Sequence, residues 1–366
     1  MALGQPFHMN ALQIWAGPKA LRHLREQGLR PADVRVVPAA AGGPKGLVLN
    51  PLDRYLFGHW LPRSDQPVHL LGASIGAWRM ASACLPDADT ALARMAEDYI
   101  TQHYEHRPGK PPLPGHVSQV FSDKLAEHFG GREAEILAHP RLRLHVFTSR
   151  GHHALLRREG RLRTPLGYLG AFASNAVNRR WMGGWLDRVV FHDPRDALPL
   201  PLIDYRTHAV PLTTDNLRPS VLASCSIPFW LKAVCDIPGA PPGAYWDGGI
   251  TDYHLHLDYA AMAEGLVLYP HFQPHLVPGW LDKALRHRHR ASERLANVVL
   301  LAPNPDWVRQ QLPGGKLPDR SDFQRHLDDE PARIALWRRG LAEAQRLADE
   351  FAELAERPSI EALPLA

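Results

Sequence analysis

Short apolar or β-branched runs alternate along the chain with longer stretches in which apolar residues recur at helical spacing. That alternation predicts a mostly parallel sheet flanked by helices, an α/β fold. The runs that read as strands cover 34–40, 68–73, 142–149, 188–192, 209–213, 265–269 and 298–302. Helical spacing predicts helices over 18–27, 47–56, 75–85, 91–104, 120–128 and 325–356. The first ends at Gly28, a residue suited to a helix C-terminus, and the last carries Ile334, Leu336, Leu341, Leu347, Phe351 and Leu354 as an apolar stripe. Prolines gather at 111–114, 194–201 and 238–242 and mark connections. No internal repeat or low-complexity block interrupts this pattern.

With 366 residues, 45% hydrophobic and 22% charged, the chain is long and apolar enough to bury a sizeable core. A net charge of +4 is too small to argue for a nucleic-acid partner. The 21 histidines lead to the expectation of a strongly cationic molecule below about pH 6. Cys84, Cys225 and Cys235 have no metal spacing and are expected to be reduced thiols. No apolar run approaches the roughly 18 residues of a spanning helix, and no signal peptide is legible at the N-terminus. A cytoplasmic protein is expected.

Three segments suggest chemistry. Gly72-Ala73-Ser74-Ile75-Gly76 is a G-x-S-x-G sequence between an apolar strand and a helix. Gly72 and Gly76 permit a sharp turn with Ser74 at its tip, close to amides that favour developing negative charge. One unit upstream, Ala41-Gly42-Gly43-Pro44-Lys45-Gly46 opens a strand into a Gly-rich loop whose N–H groups suit an oxyanion. It lacks both nucleotide-binding glycine patterns. Farther on, Tyr245-Trp246-Asp247-Gly248-Gly249 puts an aspartate before two glycines.

A Gly-rich loop, a G-x-S-x-G about thirty residues later and a distant Asp-Gly-Gly together resemble the patatin-like phospholipase family. The stretch Ala223-Ser224-Cys225-Ser226-Ile227-Pro228-Phe229 resembles the block that family carries between nucleophile and aspartate. The likeness covers roughly 34–256. It implies a three-layer α/β/α sandwich and a serine acyl hydrolase, a lipase, esterase or phospholipase acting on a lipid or ester substrate without a cofactor. By position it makes Ser74 the nucleophile, Asp247 its base, Gly42, Gly43 and Lys45 the oxyanion loop, and Gly72 and Gly76 the elbow. Ala41 stands where the family has its first loop glycine, and Lys45 where it has arginine. Lysine keeps the charge and loses the planar fork, which makes simple esters as plausible a substrate as phospholipids. Three parts are expected: a patatin-like catalytic domain over 34–273, an N-terminal helical extension of that same domain over 1–33, and a C-terminal mainly helical layer or cap packed on it over 274–366.

Other readings compete. Strict alternation over 252–258 would put Asp252, His254, His256 and Asp258 on one strand face, a candidate divalent-metal site. His254, His275 or His326 could complete a triad with Ser74 and Asp247. A non-catalytic lipid-binding protein is the remaining class. The basic stretch 283–290 suits a solvated face or a transient contact with a membrane surface.

Overall fold

The computed structural model describes residues 9–365. Its strands are β1 (Leu12–Ala16), β2 (Val34–Ala39), β3 (Val68–Ala73), β4 (Leu142–Gly151), β5 (Leu186–His192), β6 (Thr207–Pro211), β7 (Val234–Cys235), β8 (Ala244–Asp247), β9 (Leu266–Pro270), β10 (Val298–Pro303) and β11 (Leu363–Pro364). The α-helices are α1 (Pro18–Gln27), α2 (Asn50–Tyr55), α3 (Ile75–Ala83), α4 (Ala88–Ile100), α5 (Pro114–Phe129), α6 (Glu133–Leu137), α7 (Arg163–Val177), α8 (Leu217–Ser224), α9 (Gly249–Asp252), α10 (Pro305–Gln311), α11 (Ser321–Arg325) and α12 (Glu330–Ala355).

All these strands form one sheet in the order β11-β1-β10-β9-β2-β3-β4-β5-β6, with β8 beside β4 and β7 beside β8. Pairing is parallel from β10 through β9, β2 and β3 to β4, and again between β5 and β6. It is antiparallel where β1 meets β10 and where β4 meets β5 and β8. Every residue of β3, β9 and β10 is buried. Strands buried on both faces need helices on both sides, so this α/β fold with a mostly parallel central sheet is compatible with three layers.

Helix α1 runs as its pattern predicts, from Pro18 at its first turn to Gly28, whose φ of 70° closes it with a bond from its N–H to Leu24 O at 3.1 Å. The expected helix over 47–56 is instead a 3-10 segment, Gly43–Leu49, followed by α2 and one π turn, Leu56–Trp60. Helix α12 buries Trp337, Gly340, Ala344, Leu347 and Phe351, so its buried stripe lies beside the predicted Ile334, Leu336, Leu341 and Leu354.

One sheet draws strands from all three parts of the chain. The N-terminal segment, expected to be helical, supplies β1, because Leu12, Ile14 and Ala16 alternate inward against β10. The C-terminal region supplies β10 to the interior of the sheet between β1 and β9. Strand β3 ends with Ala73 opposite Phe147 of β4, and β8 takes up the same side of β4 one position on, with Asp247 opposite Thr148. Two strands thus meet head to head against β4, which brings Ser74 and Asp247 to one point.

Candidate active site

Ser74 follows β3 directly and precedes α3, with φ 56° and ψ −130°. A positive φ is strained for a side chain with a Cβ. The glycines around it are required by close backbone approach. A Cβ on Gly76 would lie 1.9 Å from Ala39 O, and one on Gly72 would lie 2.4 Å from Ala77 Cα. The elbow is thereby pressed against β2, the strand that carries the Gly-rich loop.

The Ser74 hydroxyl donates to Asp247 Oδ2 at 2.6 Å, and the Gly249 N–H donates to Asp247 Oδ1 at 2.7 Å. Both residues are buried, Ser74 at 3% and Asp247 at 6% exposure. Burial raises the Asp247 pKa above the ordinary carboxylate value, opposed by the Ser74 hydrogen bond, the Arg320 charge and the Gly249 amide. A raised carboxylate is a better proton acceptor than a free one, which is what an aspartate must be to activate a hydroxyl.

A clamp missing from the sequence-based site holds the two residues. Ser224 Oγ accepts from the Ser74 N–H at 2.9 Å and donates to Phe147 O at 2.7 Å. The Asp247 N–H donates to Ser226 O, and the Gly248 N–H to Ser224 O, at 2.9 and 3.1 Å. The end of α8 and the two residues that follow it therefore hold Ser74 and Asp247 together. Its signal in the sequence was the 223–229 block, which suggested kinship but no role.

The Gly-rich loop borders the same point. Gly43 has φ 56°, a left-handed conformation natural to glycine. Among the described residues the N–H groups of Gly42 and Gly43 have no protein acceptor, whereas that of Ala41 donates to Tyr253 O at 2.9 Å. Lys45 lies apart from this pocket, its Nζ 5.6 Å from the centre of the Phe272 ring. The cation at the site is Arg320, from the segment before α11. Its Nε would be 3.4 Å from a Cβ on Gly43, and it lines a cavity of about 10 Å³ together with Gly42, Ser74, Asp247 and Tyr253. Nothing in the local sequence pattern marks it. Lys283 reaches the same region over the Tyr253 ring at 4.1 Å, and burial beside other cations lowers its pKa to about 8.

A second cavity of about 60 Å³ also reaches Ser74, walled by Gly43, Tyr99, Phe121, Ile227 and Leu231. Tyr99, Val117, Ile227 and Leu231 also line a mainly apolar cavity of about 130 Å³ beyond it. An apolar path thus leads away from the hydroxyl.

The competing sites are not assembled. Residues 252–258 form no strand: Asp252 ends α9, Leu255 has φ 42°, and the chain turns. Asp252 is buried against Arg188 at 2.6 and 2.8 Å, and His254 Nδ1 accepts from the Val277 N–H at 2.9 Å. The alternation reflected partners on different elements. Among the described residues no cluster of three or more His, Cys, Asp or Glu side chains could hold a metal. Among the described residues no histidine lines either cavity at Ser74. His275 stacks on His289 with ring centres 5.9 Å apart, and His326 lines the outer apolar cavity.

No protein-family model matches the chain, and no curated protein matches it. No helix among the described residues is long and apolar enough to cross a membrane.

Proposed function

We propose that this chain is a serine acyl hydrolase of the patatin-like type that cleaves carboxylic esters through a Ser74–Asp247 dyad. The observation that carries the proposal is the 2.6 Å hydrogen bond from a strained, buried Ser74 hydroxyl to a buried carboxylate with a raised pKa. As Ser74 Oγ bonds to the ester carbonyl carbon, its proton passes to Asp247 and the carbonyl π pair moves to oxygen. The Gly42 and Gly43 amides and the Arg320 guanidinium face that oxyanion. Collapse expels the alcohol, which takes the proton from Asp247 and leaves an acyl-enzyme. Water then gives a proton to Asp247 as its oxygen bonds to the acyl carbon, and collapse expels Ser74 Oγ, which takes that proton back as the acid leaves. The apolar path from Ser74 past Val117 and Leu231 supports an apolar acyl group, hence a lipid or lipid-like ester.

The test uses a fluorophosphonate, whose phosphorus accepts the serine oxygen as fluoride leaves. Stoichiometric labelling of the purified chain, abolished in Ser74→Ala and slowed at least about a hundredfold in Asp247→Asn, supports the dyad. Absence of labelling in the parent chain sinks it.

A further inference from the structure

Helix α7 reverses the usual surface pattern. Its inward residues are small or polar, Thr164, Gly167, Ala171 and Asn175 beside Tyr168. Its outward residues are apolar: Leu166, Leu169, Phe172 and Val177 are exposed, and no charge interrupts 164–177. Leu162 before the helix and Trp181 after it extend the face, and these six side chains are between 38% and 76% exposed. Spacings of four, three, four and four from Leu162 through Leu166, Leu169 and Ala173 to Val177 place them in one stripe. Scattered exposed leucines are ordinary, but a contiguous stripe of this length marks a surface that something covers.

The surroundings indicate what covers it. Arg157, Arg158 and Arg161 are exposed just before the helix and Arg180 just after it. The basic stretch 283–290 is moored to the helix end, Arg288 donating to Asn175 O at 2.8 Å and Ala176 O at 3.2 Å. Exposed Arg286 and Arg290 therefore sit near the same end. In this region Arg179 and Arg288 are paired with Asp282, which leaves these six other arginines without a carboxylate partner among the described residues. The inner side of α7 leads to the dyad: Tyr168 packs on Phe229 and Trp246, with ring centres 5.8 and 6.0 Å apart. Trp246 precedes Asp247, and Pro228, next to Phe229, borders the Ser74 cavity.

We infer that the outer face of α7 is a docking surface for an anionic lipid bilayer. Its leucines and aromatics enter the boundary between headgroups and acyl chains while the arginines at both ends meet lipid phosphates. A second copy of the chain fits less well, since pairing two such faces would bring their arginines together. The inference does not depend on chemistry at Ser74.

Co-sedimentation of the full chain carrying Ser74→Ala, which prevents turnover, tests this on phosphatidylcholine vesicles with and without phosphatidylglycerol. Binding to the anionic vesicles is expected, falling with salt. Leu166→Ser with Leu169→Ser is expected to lower partitioning about tenfold or more with an unchanged melting temperature, because both side chains are already in water. Arg157→Gln with Arg158→Gln and Arg161→Gln is expected to weaken binding to anionic vesicles and flatten its salt dependence. The inference fails if the parent stays in the supernatant, or if the leucine variant binds equally well. It also fails if the parent is a dimer that the leucine substitutions dissociate, which would assign the face to a second copy. Fluorophosphonate labelling is read separately, so the docking face can fail while the dyad stands.

Discussion

The Asp53 carboxylate receives both arms of the Arg79 guanidinium, Nε at 2.7 Å and Nη2 at 2.9 Å, with the two side chains 0% and 1% exposed. Asp53 lies on α2, which follows the Gly-rich loop and its 3-10 segment, and Arg79 lies on α3, which begins just after Ser74. The pair ties the helix that follows the Gly-rich loop to the helix that follows Ser74. Asp53→Ala leaves a buried unpaired guanidinium and is expected to lower stability by about 3–5 kcal/mol in denaturant titration. Asp53→Leu with Arg79→Met, which removes both charges, should lose much less. If the double variant is the less stable one, the pair is not acting as a buried staple.

In the proposed dyad Asp247 serves the chemistry at a cost to folding. Burial raises its pKa, so the fold favours the protonated form and bears a buried carboxylate at neutral pH. Asp247→Asn keeps an acceptor for the Gly249 N–H and removes that charge. The expected result is a labelling rate lower by about two to four orders of magnitude with a melting temperature equal to or above the parent's.

Arg320 favours the ionised form of Asp247 from beside Gly43. The other groups acting on the carboxylate are the Ser74 hydroxyl, the Gly249 amide and Lys283, while nearby Tyr168, Tyr253 and Cys225 have raised pKa values and stay neutral at working pH. Without the guanidinium the Asp247 pKa rises further. In Arg320→Gln the acidic limb of the labelling rate is therefore expected to move to higher pH and the plateau to fall about tenfold or more, with partial recovery in Arg320→Lys. An unmoved limb would place Arg320 outside the electrostatics of the dyad.

Ser224→Ala deletes the acceptor for the Ser74 N–H and the donor to Phe147 O. A loss of about 1–3 kcal/mol is expected from the orphaned amide, together with slower labelling because the strained φ of Ser74 is no longer held. Equal labelling rates in the two proteins would show that the clamp is dispensable.

The histidine content sets acid stability in a way composition conceals. Burial lowers His69, His139 and His256 to about 4 and His145 and His271 to about 3. Each is neutral in the fold and takes up a proton on unfolding below its ordinary value near 6.5. The stability they confer is complete above that value and is lost as pH falls through 6.5 towards 4 and 3. A melting temperature that drops steeply from about pH 6 to pH 4 is expected, and a flat profile would contradict their burial.

Local order was legible in the sequence wherever it depends on neighbours along the chain. The fully buried strands β3, β9 and β10 and the nearly buried β2 announce themselves as apolar runs, and helix α1 is bounded by its own proline and glycine. The Gly72 and Gly76 spacing around Ser74 requires a tight turn, because no side chain fits where the backbones touch. Helix α7 escaped because its small residues point inward and its large ones outward, opposite to the pattern of a soluble helix. The face over 252–258 was misread because alternation cannot distinguish a strand from a turn whose polar residues have partners on separate elements.

Ser74 as a candidate nucleophile was therefore a matter of sequence. Tertiary structure brought the expected Asp247 against it through the head-to-head register of β3 and β8 on β4, and added Ser224 from the end of α8 and Arg320 from the C-terminal region. Those groups lie 150 residues or more from Ser74 along the chain. Hydrogen bonding and charge act over a few ångströms of space, and only the folded sheet turns such sequence separations into contact.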